Sequence, residues 1–537
     1  MRTIQIKSIQ GLQTLIALIV ALQLFSCSNK GANQLLGTIP KETAFVGYIN
    51  GEQILEKGNF EEIFKNKMTE DGEELRLMGD LLKAIKAKDI IYFGSKNEFC
   101  LTFYIKKFGQ FQEACRGLTF GSEQEVDGFW MATSSQEEDL HLVSNKKQAW
   151  LISQRGNVGP IEIVKKYLAL QPEASAQSIA HIEDIYSQDA GMYFNYGHFI
   201  ETVTENADLL KNRLAKKNNY GMADEEIDWS EWEEDLEDMK EFDHIALDTV
   251  QETENPLSDL ALLNQIFPML QEGISIISTL SFEAKEINIK TNLYTKEGKA
   301  YVNPYLEENK ITEEALSHVS QDAMLVAVSY VGQKAIKAFS PYFDLADIPA
   351  SVKESAESLF ALLNGEVILS IQGPNSLLGL ADSNGLEYMV LSKSSNAKKQ
   401  SEYLDQLMNQ ISDNKSQMQN GIYHQSTDPF GKEGGCFYGT AESNYLFFGS
   451  RPFKKPTENI LKNKVVASLV GSYGGFYLDL SSSSTLSMLL KSITEYNLNG
   501  YILMRATSPS SHTFTFRNES AGGDNILEGF VRLFAQF

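Results

Sequence analysis

The chain has 537 residues, of which 42% are hydrophobic, and a formal net charge of −24 at pH 7. This length exceeds what one hydrophobic core organises, so it predicts two or three domains, and 30 Phe with 22 Tyr favour a strand-rich fold. The acidic charge repels phosphate backbones and anionic lipid surfaces, so we expect no nucleic-acid binding. The four Cys form no C-x-x-C, and the seven His form neither H-x-x-x-H nor H-E-x-x-H. We therefore expect no metal, no cofactor and no redox pair.

The first 26 residues have the organisation of a secretory signal peptide. Arg2 and Lys7 precede an apolar stretch, Leu12 to Phe25, that is shorter than the roughly 20 residues of a spanning helix. The stretch ends in LFSC, which looks like a bacterial lipobox with Phe25 where a small residue is usual. We predict cleavage before Cys27 and acylation of Cys27, with chains such as palmitate forming a membrane anchor. An incidental thiol after a plain signal peptide is the alternative.

The residues after Cys27 predict where the lipoprotein resides. Ser28 is not typical of inner-membrane retention, and the acidic cluster typical of surface-exported lipoproteins is absent. We therefore expect the periplasmic face of the outer membrane, with residues 27–38 as a polar tether between the lipid bilayer and the folded part.

Residues 39–300 predict a first domain in which strands and helices are mixed. Strands rich in β-branched and aromatic residues are expected at Ala44–Ile49, Asp89–Gly94, Phe99–Ile105 and Ala190–Tyr196. Apolar spacing predicts helices over residues 51–68, 73–87, 109–116 and 160–170.

Residues 312–537 repeat this order. The strands expected at Ala323–Val328, Glu366–Ile371, Leu386–Leu391 and Gly475–Leu480 begin 279, 277, 285 and 284 residues after Ala44, Asp89, Leu101 and Gly191. The near-constant offset predicts an α+β fold of two tandem, duplicated domains with mainly antiparallel sheets, and any ligand groove would lie between the halves. Two unrelated α+β domains are the alternative.

The first copy carries an acidic insertion of roughly 58 residues, at about 203–260, that the second copy lacks. Residues 224–239 hold ten acids and no base, while Trp229, Trp232, Leu236 and Met239 recur at helical spacing. A solvated segment, a helix that docks a protein partner and a Ca²⁺ site are the alternatives, although the order of a calcium loop is missing.

Other residues of suitable chemistry are each more typical of structure than of a site. His181 with Glu183 and Asp184 supplies acid and base types, and the glycines at 431–435 and 471–475 fit turns. Aromatic residues that could stack on sugars, but that favour the core, are Trp130, Tyr193, Tyr438 and Tyr473. We expect Cys100 and Cys115 to be free buried thiols; a disulfide between them, which requires the helix after the strand to run back along it, is the alternative. We nominate no catalytic, cofactor-binding or metal residue.

The lipobox, the segment IP-x-x-T-A-F-V-G-Y-I (Ile39 to Ile49) and the segment G-x-x-I-L-E-K-G (Gly51 to Gly58) resemble uncharacterised lipoproteins of the Bacteroidetes. The resemblance implies a large, duplicated α+β protein, a domain of unknown function, and brings no activity or site residue. We expect a cell-envelope lipoprotein that is a non-catalytic binding or structural protein. A glycan- or ligand-binding accessory lipoprotein is the first alternative, and a periplasmic hydrolase is the second.

Overall fold

The computed structural model describes most of the two predicted domains. The described residues are 29–60, 72–94, 98–118, 120–135, 139–154, 158–199, 273–303, 309–337, 349–373, 386–412, 414–426, 435–442, 444–481, 484, 487–488, 498–520 and 525–528. The predicted signal peptide with Cys27 and the acidic insertion at 203–260 lie outside them.

Antiparallel strands form one continuous sheet through both halves. In the first half they are β1 (Phe45–Ile49), β2 (Ile85–Gly94), β3 (Glu98–Ile105), β4 (Phe120–Val126), β5 (Phe129–Ser134), β6 (Leu140–Ser144), β7 (Gln148–Gln154), β8 (Ala190–Asn195), β9 (Ser275–Phe282) and β10 (Glu286–Tyr294). In the second half they are β11 (Ala323–Val331), β12 (Leu363–Gln372), β13 (Glu387–Ser394), β14 (Gln417–Gln419), β15 (Ile422–Gln425), β16 (Cys436–Glu442), β17 (Tyr445–Gly449), β18 (Gly474–Asp479), β19 (Gly500–Ser508) and β20 (Ser511–Asn518).

Helices cover both faces of this sheet. The first half has α1 (Asn29–Leu36), α2 (Gly51–Lys57), α3 (Gly72–Ala84), α4 (Phe108–Gly117) and α5 (Pro160–Leu168). The second half has α6 (Glu313–Ser317), α7 (Ala350–Ala361), α8 (Ala397–Ile411) and α9 (Lys464–Ala467). Short 3₁₀ helices lie at Pro172–Ala174, Ala176–Ser178, Ile182–Tyr186 and Ile460–Lys462.

The two halves have the same strand order, which confirms the predicted duplicated α+β fold with antiparallel sheets. The first half runs β4-β5-β6-β7-β3-β2-β1-β8-β9-β10, and the second runs β14-β15-β16-β17-β13-β12-β11-β18-β19-β20. Bonds outside the strands repeat as well: Ala176 N donates to Ile39 O at 2.8 Å, and Ile460 N donates to Val319 O at 2.9 Å.

The register corrects the predicted alignment of the first strands by one residue. Val46 lies opposite Tyr193, and Val326 lies opposite Tyr477, so the equivalent of Val46 is Val326. β11 carries a bulge between Ala323 and Leu325, which adds a residue after Ala323 and shifts the predicted match of the later residues of the strand by one.

The halves meet strand to strand rather than through two packed surfaces. The outermost strands β10 and β20 pair over seven residues, from Glu286 to Asn292 on β10. Side chains reinforce this junction, since Thr515 Oγ1 donates to Asn288 Oδ1 at 2.8 Å. An apolar cluster also crosses it and contains Ile54, Phe60, Phe282, Ile526 and Leu527.

Apolar layers lie on both faces of the sheet in each half. We call the face that carries α1 and α6 face A. On face A of the first half, α1 and α5 pack on a cluster that includes Val46 and Trp150, while α4 packs on the opposite face against Phe103. Face A of the second half has an equivalent cluster around Val326 and Phe447.

One expectation is corrected here, and one is confirmed. Residues 29–36 of the predicted tether form α1, and Ala32, Leu35 and Leu36 are fully buried, because their spacing places three apolar side chains on one helical face. Cys100 and Cys115 are free, buried thiols. They belong to clusters on opposite faces of the sheet, so the helix runs over the face to which Cys100 does not point.

Candidate functional site

The N-terminal helix α1 connects the predicted lipid anchor to the core. It begins two residues after Cys27 and packs on face A of the first half. Its end is closed by Thr38, whose hydroxyl donates to Leu35 O at 2.8 Å. Tyr104 Oη on β3 also donates to Gln34 Oε1 at 3.4 Å. The helix is therefore held by burial and by polar contacts.

The first turn of α1 lies on a buried acid of β2, Asp89. A Cβ atom at Gly31 would overlap Asp89 Oδ2 and would lie 3.0 Å from the carboxyl carbon, so any larger residue here must displace the carboxylate. Burial raises the pKa of Asp89 from its usual 3.8 to about 6. The positive charge of Lys88 and a hydrogen bond from Tyr48 Oη at 3.4 Å lower the same pKa, but to a smaller extent.

The second half has an acid at the equivalent position. The strand registers match Asp89 of β2 with Glu366 of β12. Glu366 is also buried, and it lies at the start of α6, the equivalent of α1. Thr312 caps that helix and donates its hydroxyl to Glu366 Oε1 at 2.7 Å. Each half therefore places a buried carboxylate beneath the N-terminus of its first helix.

The contacts around the two acids are the same in position and different in charge. Where the first half joins Gln34 to Tyr104, the second half joins Glu314 to Lys393 Nζ at 3.3 Å. Lys393 Nζ also lies 3.5 Å from a carboxylate oxygen of Glu366. The neutral contacts of the first half are therefore replaced by ion pairs in the second.

A histidine completes the second-half cluster. His318 is buried and takes the place of Thr38, and its ring lies 4.6 Å from the ring of Tyr445. Its Nδ1 faces Glu314 O at 2.7 Å and its Nε2 faces Glu442 Oε2 at 3.1 Å. Both ring nitrogens therefore lie within hydrogen-bond distance of an acceptor oxygen. Hydrogen bonds from Lys455 and then from His318 lower the pKa of Glu442. These groups fix α6 and leave neither ring nitrogen free to act as a base.

The other residues that the sequence offered as candidates are engaged in packing or hydrogen bonds of the fold. His181 stacks on Tyr294 with ring centroids 4.3 Å apart, and its Nε2 lies 2.9 Å from Gly298 O. Trp130, Tyr193 and Tyr438 are buried in the sheet. Cys27 and the acidic Trp-containing segment lie outside the described residues. Within the described ranges there is no group of three or more His, Cys, Asp or Glu that could hold a metal ion.

Sequence reasoning did not identify Gly31, Asp89 or Glu366. Gly31 and Asp89 are 58 positions apart in the sequence and meet only through the packing of α1 on β2. No spacing rule connects them. The repeat offset was the available signal, because it aligns Glu366 with the neighbourhood of Asp89.

Comparison with known proteins identifies no family for this chain. No protein-family model matches the chain, and no curated protein matches it. Among solved structures the chain is similar to crystal form III of TP0453, with 12% identity and a TM-score of 0.25, over 52% of this chain and 83% of that chain. Crystal form IV of TP0453 gives 11% identity, a TM-score of 0.25, and 48% and 79% coverage. In the part of the chain that the structure describes, no helix is long and apolar enough to cross a membrane.

Proposed function

We propose that this protein is a cell-envelope lipoprotein whose acylated Cys27 holds the first half of the sheet directly against a membrane. The observation that supports it is the position of α1, which starts two residues after Cys27 and is buried in the core. Cys27 is four residues from Gly31, so even an extended connection spans at most about 14 Å. The lipid would therefore be coupled rigidly to the body of the protein.

The proposal assigns a binding or structural role rather than catalysis. Asp89 and Glu366 lie in different halves, and each is engaged with the helix above it. Catalysis by a carboxyl pair needs two such groups around one substrate, which this separation does not provide. The predicted periplasmic face of the outer membrane and a protein partner at the acidic segment belong to the same proposal.

The test is metabolic labelling with a fatty-acid analogue, followed by fractionation of the envelope at about 1 M salt, which screens purely electrostatic attachment to lipid. Wild-type protein should be labelled and should sediment with the outer membrane. Cys27→Ala should abolish the label and release the protein into the soluble fraction. The matched control is Cys115→Ala, which removes a buried thiol and should leave labelling unchanged. Membrane retention of Cys27→Ala without label would overturn the proposal.

A further inference from the structure

Lysines gather at one end of the first half of the sheet, in a chain whose net charge is −24. They come from three segments: the end of α3 with the start of β2, the residues after β3, and the turn before β7. We call this group the lysine edge. Its members are Lys83, Lys86, Lys88, Lys106, Lys107, Lys146 and Lys147.

Backbone hydrogen bonds bring the three segments together. The amides of Lys106 and Lys107 both donate to Ala84 O, at 2.8 and 2.9 Å, and Ile105 N donates to Lys147 O at 2.8 Å. The pairing of β2 with β3 and of β3 with β7 continues to this end of the sheet. Three short sequences that are distant along the chain therefore form one surface.

The positive charges of the lysine edge point to solvent and are largely uncompensated. Six of the seven side chains are exposed, and Lys88 is half-buried. Among the described residues, only Lys83 has a carboxylate within ion-pair distance, Asp80 at 3.5 Å on the same helix. Exposed pairs of this kind contribute little.

The second copy of the fold shows that these lysines are not needed for folding. Its equivalent segments are residues 360–366, 395–396 and 443–444, and they contain no Lys or Arg. The backbone contacts are nevertheless present, since Ser395 N donates to Leu362 O at 3.0 Å and Ser394 N donates to Asn444 O at 2.8 Å. These three segments therefore carry positive charge only in the first half, and the lysines of the second half lie outside them.

The lysine edge also lies beside the predicted lipid anchor. Lys88 adjoins Asp89, whose carboxyl meets α1 at Gly31, and the ammonium of Lys86 lies 5.7 Å from the ring centroid of Tyr104, which contacts Gln34 of α1. The start of α1 is thus next to the positive surface. The negative net charge of the whole chain does not cancel this local positive surface, because salt screens charges beyond about 8–10 Å.

We propose that the lysine edge binds the headgroups of anionic phospholipids in the membrane that holds the anchor. The inference rests on the proposed function, which places this end of the sheet at a bilayer. A lipid chain combined with a basic surface gives firmer attachment than either alone. Each lysine near an anionic surface strengthens binding by roughly fivefold, so four of them dominate the affinity.

The test uses the full mature chain with Cys27→Ala, purified without lipid, so its result does not depend on acylation. The probe is vesicles of phosphatidylcholine with or without phosphatidylglycerol, and the readout is co-sedimentation. The test variant combines Lys106→Gln, Lys107→Gln, Lys146→Gln and Lys147→Gln. The matched control removes the same number of positive charges at exposed lysines of the second half: Lys398→Gln, Lys415→Gln, Lys454→Gln and Lys464→Gln.

We expect binding only when phosphatidylglycerol is present, a loss of at least about tenfold in the test variant, and near wild-type binding in the control. Unchanged thermal unfolding of the test variant shows that the loss is not misfolding. Equal losses in both variants, or binding that does not depend on phosphatidylglycerol, would overturn the inference. Because acylation of Cys27 is measured separately, failure of that labelling and failure of lipid binding are distinguishable.

Discussion

Replacing Asp89 by Asn tests whether a buried carboxylate opposes the docking of α1. Burial raises the folded-state pKa of Asp89 to about 6, above the value near 3.8 of the free side chain. The protonated form is therefore favoured in the folded protein. Its stabilising contribution is complete below about pH 4 and is lost as the pH rises through about 6. Asp89→Asn removes this dependence, because the amide has the size of the carboxyl group and no charge.

The magnitude follows from the same values. The full difference between pKa values near 3.8 and 6 corresponds to about 3 kcal/mol, and partial screening of the charge by solvent reduces the expected effect to about 1.5 kcal/mol. At pH 7.5 the variant should be more stable than the wild type by about this amount. At pH 4 the two proteins should be equally stable.

Hydrogen exchange measured by mass spectrometry on the peptide that contains α1 reports this difference locally. A local readout is preferable because a chain with several apolar clusters need not unfold in one step. Comparing the variant with the wild type at each pH cancels the intrinsic pH dependence of exchange. Asp80→Asn, at an exposed acid of α3, is the control and should show no gain in protection at pH 7.5. An α1 peptide of the variant that is no better protected from exchange at pH 7.5 than that of the wild type would refute the argument.

Three further substitutions test the contacts described above. Gly31→Ala should destabilise α1 by about 1–3 kcal/mol, because the added methyl overlaps Asp89, and the combined change with Asp89→Ala should recover most of the loss in the same exchange assay. His318→Ala should lower the thermal unfolding temperature of the second half by removing a buried ring and two hydrogen bonds, whereas wild-type stability would show that the cluster is not structural. Thr515→Val should remove the hydroxyl that donates to Asn288 Oδ1 and cost about 1 kcal/mol in chemical denaturation, and no loss would mean that water replaces the hydroxyl.

Element order along the chain was predictable, and register was not. The offset between repeated strands predicted the duplication because both copies place strands of similar composition at the same intervals. A bulge near Ala323 shifts the alignment by one residue, and a shift of one moves side chains to the other face. The pairing of β10 with β20 joins strands that are more than 200 residues apart, which no local pattern reveals.

The failure at residues 29–36 has a different cause. Polar residues after Cys27 resemble a tether, and the stretch is too short for periodicity to indicate a helix clearly. Three buried side chains, Ala32, Leu35 and Leu36, stabilise it only because face A is present to receive them. The alternative of a disulfide is excluded for a related reason, since it considered only the ends of the strand and the helix and not the face to which Cys100 points.

The candidate sites show what duplication reveals that one copy cannot. Gln34 and Tyr104 in the first half, and Glu314 and Lys393 in the second, make the same contact with different chemistry. The fold therefore sets where this contact is made, whereas the charge of the contacting side chains differs between the two copies. The lysine edge differs between the copies in the same way. Ser395 makes the same backbone hydrogen bond as Lys106 but carries no charge. A feature that one copy carries and the other folds without is not explained by folding. This difference is the reason for our proposal that the lysines beside α1 bind anionic lipid headgroups.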